Sequence, residues 1–183
     1  MSTTNNKFEK GIYGVGTILT AVVFYYATIW ATPYYVQSKI ASKRGAEVNV
    51  LRFSEKPSPE NNRTVPLPNP DFLYSSISYD IKDGILKITG KVPDSTYWSI
   101  AAYRANTTNF FVENDDQVDG NFEYYLANEG SKSKVLKDIP KEKIIYSPTG
   151  RGLVLFRYLI SKAYPFNTLV DLQHSVKVEK LAE

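Results

Sequence analysis

Residues 72–92 read FLYSSISYDIKDGILKITGKV. Alternation puts Leu73, Ile77 and Tyr79 on one side of an extended chain, and Leu86, Ile88 and Val92 on one side of a second. Between them, Lys82-Asp83-Gly84 holds the residue types of a tight turn, so the stretch is predicted to be two strands, 72–80 and 85–92, closed as a hairpin. Further short strands separated by turn signals follow, which sets the class as mainly β: an antiparallel sandwich or barrel-like domain.

Downstream, residues 96–104 and 109–112 read as strands rich in aromatic groups. Tyr97, Ser99, Ala101 and Tyr103 share one face of the first and Trp98, Ile100 and Ala102 the other, so at least one of these sets belongs to the core. An acidic loop, 113–120, precedes a strand at 121–127. Residues 144–146 lead through a turn at 147–152 into 153–160, which is apolar on both faces and is therefore predicted to be a central strand. Residues 165–176 form the one expected helix of this part, capped by Asn167 or Thr168, with Leu169, Leu172 and Val176 facing inward.

Upstream, residues 54–70 hold five prolines, Pro57, Pro59, Pro66, Pro68 and Pro70, which fix φ and remove backbone donors. An extended connector over 45–70 is expected. Before it, residues 11–38 carry no charge, enough for a membrane-spanning helix, which needs about 20 apolar residues. Lys7, Glu9 and Lys10 precede the span, and Lys39, Lys43 and Arg44 follow it; Tyr13, Trp30, Tyr34 and Tyr35 stand where aromatic belts form. The segment is too long for a signal peptide, and it lacks the polar face of a soluble core helix. The chain thus divides into an N-terminal tail (1–10), a membrane helix with a juxtamembrane extension (11–44), a connector (45–70) and a β-rich domain (71–183).

The span has a single leucine, Leu19, but many small residues. Gly14, Gly16, Thr17, Thr20, Ala21 and Thr28 form the expected helix-packing interface, with Gly16/Thr20 and Thr17/Ala21 four apart, because small residues let helices approach closely in lipid. Flanking charge is tied between the two ends. Two sequons, Asn62-Arg63-Thr64 and Asn106-Thr107-Thr108, lean towards a domain outside the cytoplasmic membrane and an N-terminus inside.

Chemistry is sparse. The 183 residues include no cysteine and one histidine, which excludes disulfides, thiolate catalysis and iron–sulfur clusters and argues against transition-metal sites. The 22 basic and 19 acidic residues are scattered, so no nucleic-acid footprint is expected. An EF-hand count from Asp115 fits Asp119 and Gly120 but meets Gln117 at the third position and Leu126 at the twelfth. His174, three residues after Asp171, has no nucleophile elbow to serve. Arg157 lies among apolar neighbours and is expected to pair with Asp80, or else Asp71, because an unpaired interior charge costs several kcal/mol. No catalytic, cofactor-binding or metal-ligating set is expected, so the chain is not read as an enzyme.

Several blocks resemble a known family. They are Pro68-Asn69-Pro70-Asp71-Phe72-Leu73-Tyr74-Ser75, Tyr79-Asp80-Ile81, Val92-Pro93-Asp94-Ser95-Thr96-Tyr97-Trp98-Ser99, the run from Asn106 to Asp115, and the run from Ser147 to Arg157. Together, over about residues 49–172, they resemble the uncharacterised family catalogued as domain of unknown function 1254, in its short membrane-anchored form. The resemblance implies a β-rich domain held by an N-terminal span outside the cytoplasmic membrane, and it implies no activity.

The expectation is a non-catalytic accessory or structural subunit of a membrane complex, with the lipid bilayer and other integral membrane subunits as partners. A guess that no residue carries is an accessory subunit of a copper membrane monooxygenase in an ammonia-oxidising archaeon, the metal being held by other chains. The alternatives are a tethered module binding carbohydrate or another ligand, and an unrecognised hydrolase.

Overall fold

The computed structural model describes residues 3–43, 47–54, 56–57, 69–162 and 164–182. Helix α1 (Thr3–Lys43) takes in most of the expected tail as well as the span. Among the described residues nine strands follow: β1 (Leu51–Phe53), β2 (Phe72–Asp80), β3 (Ile85–Lys91), β4 (Trp98–Arg104), β5 (Asn109–Asn114), β6 (Asn121–Asn128), β7 (Ile144–Ser147), β8 (Arg151–Leu159) and β9 (Lys177–Leu181). A short helix, α2 (Phe166–Ser175), lies between the last two. The fold is mainly β and sandwich-like, as the alternating patterns implied.

The strands form two sheets. One runs β1-β2-β8-β4-β5, antiparallel throughout. The other runs β7-β6-β3-β9, with β6 and β7 parallel and the remaining pairs antiparallel. Strand β8 is central in its sheet, as expected from its apolar content.

The expected hairpin does not form. Strand β2 pairs with β1 and β8, whereas β3 pairs with β6 and β9, so residues 81–84 carry the chain from one sheet to the other. A tight turn is locally compatible with either outcome. What decides is that Leu73, Ile77 and Tyr79 of β2 share one core cluster with Leu86 and Ile88 of β3, so packing the two strands face to face buries both apolar faces together. Gly84 permits the crossover: its φ is +149°, and a Cβ there would lie 2.6 Å from the Leu181 carbonyl oxygen. Residues 148–150 make a second crossover, from β7 to β8.

The expected domain start also shifts. Strand β1 pairs with β2 inside the expected connector, and Asn49 joins it: its N–H donates to the Ser78 carbonyl at 2.8 Å, while its side-chain amide bonds both backbone groups of Asp80. Pro59, Pro66, Pro68, Arg44 and the Asn62 sequon lie outside the described residues.

Pro165 precedes α2 as its N-cap residue and makes no side-chain cap bond, so the expected Asn167 or Thr168 cap is not used and both residues lie inside the helix. Leu169, Leu172 and Gln173 are its buried residues, and Val176 just beyond is buried too. Strand β9, with its KVEKL sequence, has no apolar alternation and was not foreseen.

The outward faces of the two sheets differ. That of the four-stranded sheet carries Ile85, Tyr125 and Ala127, covered by Leu136 and Ile139 from the segment around the 3-10 turn Lys134–Asp138, with Lys87 and Lys143 both bridging to Glu123. No such satellite cluster covers the other sheet among the described residues.

Candidate functional site

Helix α1 is the one described helix long and apolar enough to cross a membrane; the candidate span is Glu9–Lys39, with a mean hydropathy of 1.6. None of its residues belongs to the buried clusters. A shallow groove runs along one face, lined by Ile12, Tyr13, Gly16, Thr17, Thr20, Ala21 and Phe24. At 3.6 residues per turn Thr28 continues this face and Gly14 borders it, while Val15, Ile18, Val22 and Ile29 fall on the opposite side. The six residues expected at a helix interface thus fall on one side of α1.

The threonine hydroxyls on this face are already satisfied. Thr17, Thr20 and Thr28 donate to the carbonyls of Tyr13, Gly16 and Phe24 at 2.9, 2.8 and 2.8 Å. Back-bonded hydroxyls ask nothing of a partner and leave their methyl groups outward. The face can therefore associate by close packing rather than by hydrogen bonds.

A second constellation closes one end of the sandwich, where the two crossovers meet. Ser147 Oγ donates to the Thr149 carbonyl at 2.7 Å and lies 2.8 Å from the Tyr79 hydroxyl, which also reaches the Tyr103 carbonyl at 3.2 Å. The Ile81 N–H donates to the Gly150 carbonyl at 2.9 Å, so one crossover is stitched to the other. Burial pushes the Tyr79 phenol up, and its bonds to Ser147 and Thr149 offset this only in part.

Asp80 pairs here with Arg151, whose Nε lies 2.6 Å from Oδ2. The expected Arg157–Asp80 pair does not exist. Register places Arg151 opposite Asp80 and Arg157 opposite Tyr74, six residues along the same strand. Arg157 Nε instead donates to Ser99 Oγ at 2.9 Å. Burial alone would raise the Asp80 carboxyl; the bonds from Arg151 and the Lys82 N–H, with those two charges, outweigh it and hold the group below its ordinary value. A lowered carboxyl contributes stability that is complete above its unfolded value, about pH 3.9, and is lost as pH falls through the folded value. Arg151→Gln is therefore expected to destabilise the domain at neutral pH, and the gap in melting temperature from wild type should narrow below about pH 4. A gap unchanged with pH would remove the ion pair from the account.

Other sequence candidates resolve as structure. His174 packs on Phe53 at 4.2 Å between ring centres. Glu113 belongs to edge strand β5, not to the acidic loop, and takes a hydrogen bond from Tyr124, whose phenol is pushed up by burial and then by that carboxylate. Among the described residues no three His, Cys, Asp or Glu side chains gather as a metal site. Asn106 caps a turn by accepting the Thr108 backbone N–H, and the Asp115 carboxylate accepts the backbone N–H of Trp98 at 3.2 Å. The end latch was not foreseen; its signals were Ser147 two residues before Thr149 and two glycines flanking Arg151.

A family profile described as protein of unknown function (DUF1254) matches residues 48–180. The chain belongs to this family. Two solved structures share the fold of this DUF1254 chain. The VPA0106 protein from Vibrio parahaemolyticus has a TM-score of 0.62 and 10% identity, over 85% of this chain and 37% of its own. An uncharacterised protein from Burkholderia cenocepacia has a TM-score of 0.52 and 14% identity, over 86% of this chain and 42% of its own. The chain thus spans roughly two fifths of the length of either protein. A search of curated proteins found no match.

Proposed function

We propose that this DUF1254 chain is a non-catalytic accessory subunit of a membrane complex. Helix α1 crosses the cytoplasmic membrane once, with its N-terminus inside, and packs its small-residue face against helices of other subunits; the sandwich domain is held outside. The observation that carries this reading is the two-sided character of α1: a groove in which Gly16, Thr17, Thr20 and Ala21 lie among Ile12, Tyr13 and Phe24 on one side, and the aliphatic Val15, Ile18, Val22 and Ile29 on the other. A helix serving only as an anchor has no need of such a division. Nothing in the domain favours one assembly over another, a copper monooxygenase included.

Purification of the native protein in mild detergent, followed by mass spectrometry, tests the reading. Other integral membrane chains should accompany it, and Gly16→Leu with Thr20→Leu should reduce them by roughly tenfold or more, since filling a close helix contact costs about 1–3 kcal/mol. Val15→Leu with Val22→Leu, on the opposite side, should leave them in place. A protein that migrates alone overturns the proposal.

The lack of cysteine makes orientation direct to read. In intact cells an impermeant maleimide should label Lys132→Cys and not Glu9→Cys. The reverse pattern would place the domain inside.

A further inference from the structure

The outward face of the five-stranded sheet is built differently from that of its neighbour. Register sets Ser76, Leu155, Ala101 and Val112 in one row across β2, β8, β4 and β5, with Tyr74, Arg157, Ser99 and Asn114 in the next. Leucines of β8 make a ridge along the middle, and small side chains on either side make furrows. Ser99 and Ala101 are almost fully buried at the foot of this ridge, while Val112 is 53% exposed. The four-stranded sheet covers its own outward apolar residues with a satellite cluster; among the described residues no such cluster covers this face, whose ion pairs, Arg52–Glu47 and Asp80–Arg151, stand on its edge strand and at the end of its central strands, away from Arg157.

Arg157 stands in the middle of it. Ser99 Oγ holds its Nε, and among the described residues no carboxylate lies within ion-pair distance of the guanidinium. A guanidinium so oriented offers its remaining donors as a planar fork that matches a carboxylate.

We infer that this face is the domain's docking surface for a second polypeptide, one that seats apolar side chains along the Leu153–Leu155 ridge and an Asp or Glu carboxylate on Arg157. The ridge and furrows demand interdigitating side chains, and the unanswered charge sets the sign of the partner. The inference rests on the subunit reading and gives it a second contact, outside the membrane.

The test uses the full chain in its native membrane, with a photo-cross-linking residue at Leu155 or Val112, and at Lys87 or Glu179 on the other sheet. The first two positions should attach to one defined second chain, in a segment containing Asp or Glu, and the last two should not. Arg157→Glu should reduce the attachment by roughly tenfold or more without lowering the melting temperature, because truncating or reversing one partner of a covered ion pair acts on binding. If that variant does not fold, Arg157→Gln serves, and the wild-type pattern stands as a test by itself. Equal attachment from both sheets, adducts with lipid or with a second copy only, an unchanged yield in the Arg157 variants, or no adduct overturns the inference. Chains that co-purify through α1 yet never attach here leave the subunit reading intact; absence of any co-purifying chain removes that reading instead.

Discussion

Gly152→Ala is expected to destabilise the domain by at least about 3 kcal/mol, enough to lower its melting temperature by about 10 °C or more or to prevent folding. Gly152 starts the inward face of β8, directly after the crossover from β7. A Cβ there would overlap the Tyr103 carbonyl oxygen and the Tyr79 hydroxyl, the two groups that meet at the end latch. Neither can retreat cheaply. The carbonyl belongs to a sheet strand, and the tyrosine is 1% exposed. Tyr79→Phe should cost less, about 1–2 kcal/mol, because it removes a buried hydrogen bond without forcing atoms together. Combined with Gly152→Ala it should recover part of the lost stability, since the hydroxyl is one of the two obstacles; thermal melting of the full chain in detergent measures both. A Gly152→Ala protein as stable as wild type would mean the crossovers are not held as described.

Trp98→Ala is expected to cost about 3–5 kcal/mol. Trp98 is completely buried and bridges the sheets, with ring centres 5.1 Å from Phe122 and 6.5 Å from Phe156. Truncation leaves a cavity that the surrounding strands, fixed by their hydrogen bonds, cannot close. Trp30→Ala in α1, where the ring is 71% exposed, should leave the domain's melting unchanged. The comparison separates core tryptophan from surface tryptophan in one fold, and equal effects would contradict the assignment of Trp98 to the core.

Strand positions were legible in the sequence because period-two alternation is a local property. Phe72 to Asp80, Trp98 to Arg104 and the apolar run of β8 all announced themselves. Partnership between strands was not legible. The Lys82-Asp83-Gly84 turn fits a hairpin and a sheet crossover equally, and the choice belongs to β6, β8 and β9, which lie far along the chain. Strands β1 and β9 escaped notice because edge strands need no continuous apolar face, and the charged KVEKL of β9 is typical of a guarded edge. The ion pair failed for the same non-local reason. Asp80 needed a basic partner, and both Arg151 and Arg157 stand on β8, but only register decides between them. The four-residue spacing of Gly16/Thr20 and Thr17/Ala21 in α1 is legible because helical periodicity is again local. What packs against them is not written in this chain.

That question can be put to α1 directly. A cysteine-free chain allows single-cysteine spin labels at each position from 12 to 29 in the native membrane, and collision with oxygen reports which labels face lipid. The account predicts an accessibility that oscillates every 3.6 residues, with minima at Thr17, Thr20, Phe24 and Thr28 and maxima at Val15, Ile18, Val22 and Ile29. Uniformly high accessibility around the helix would show lipid on all sides, and the subunit reading would be wrong.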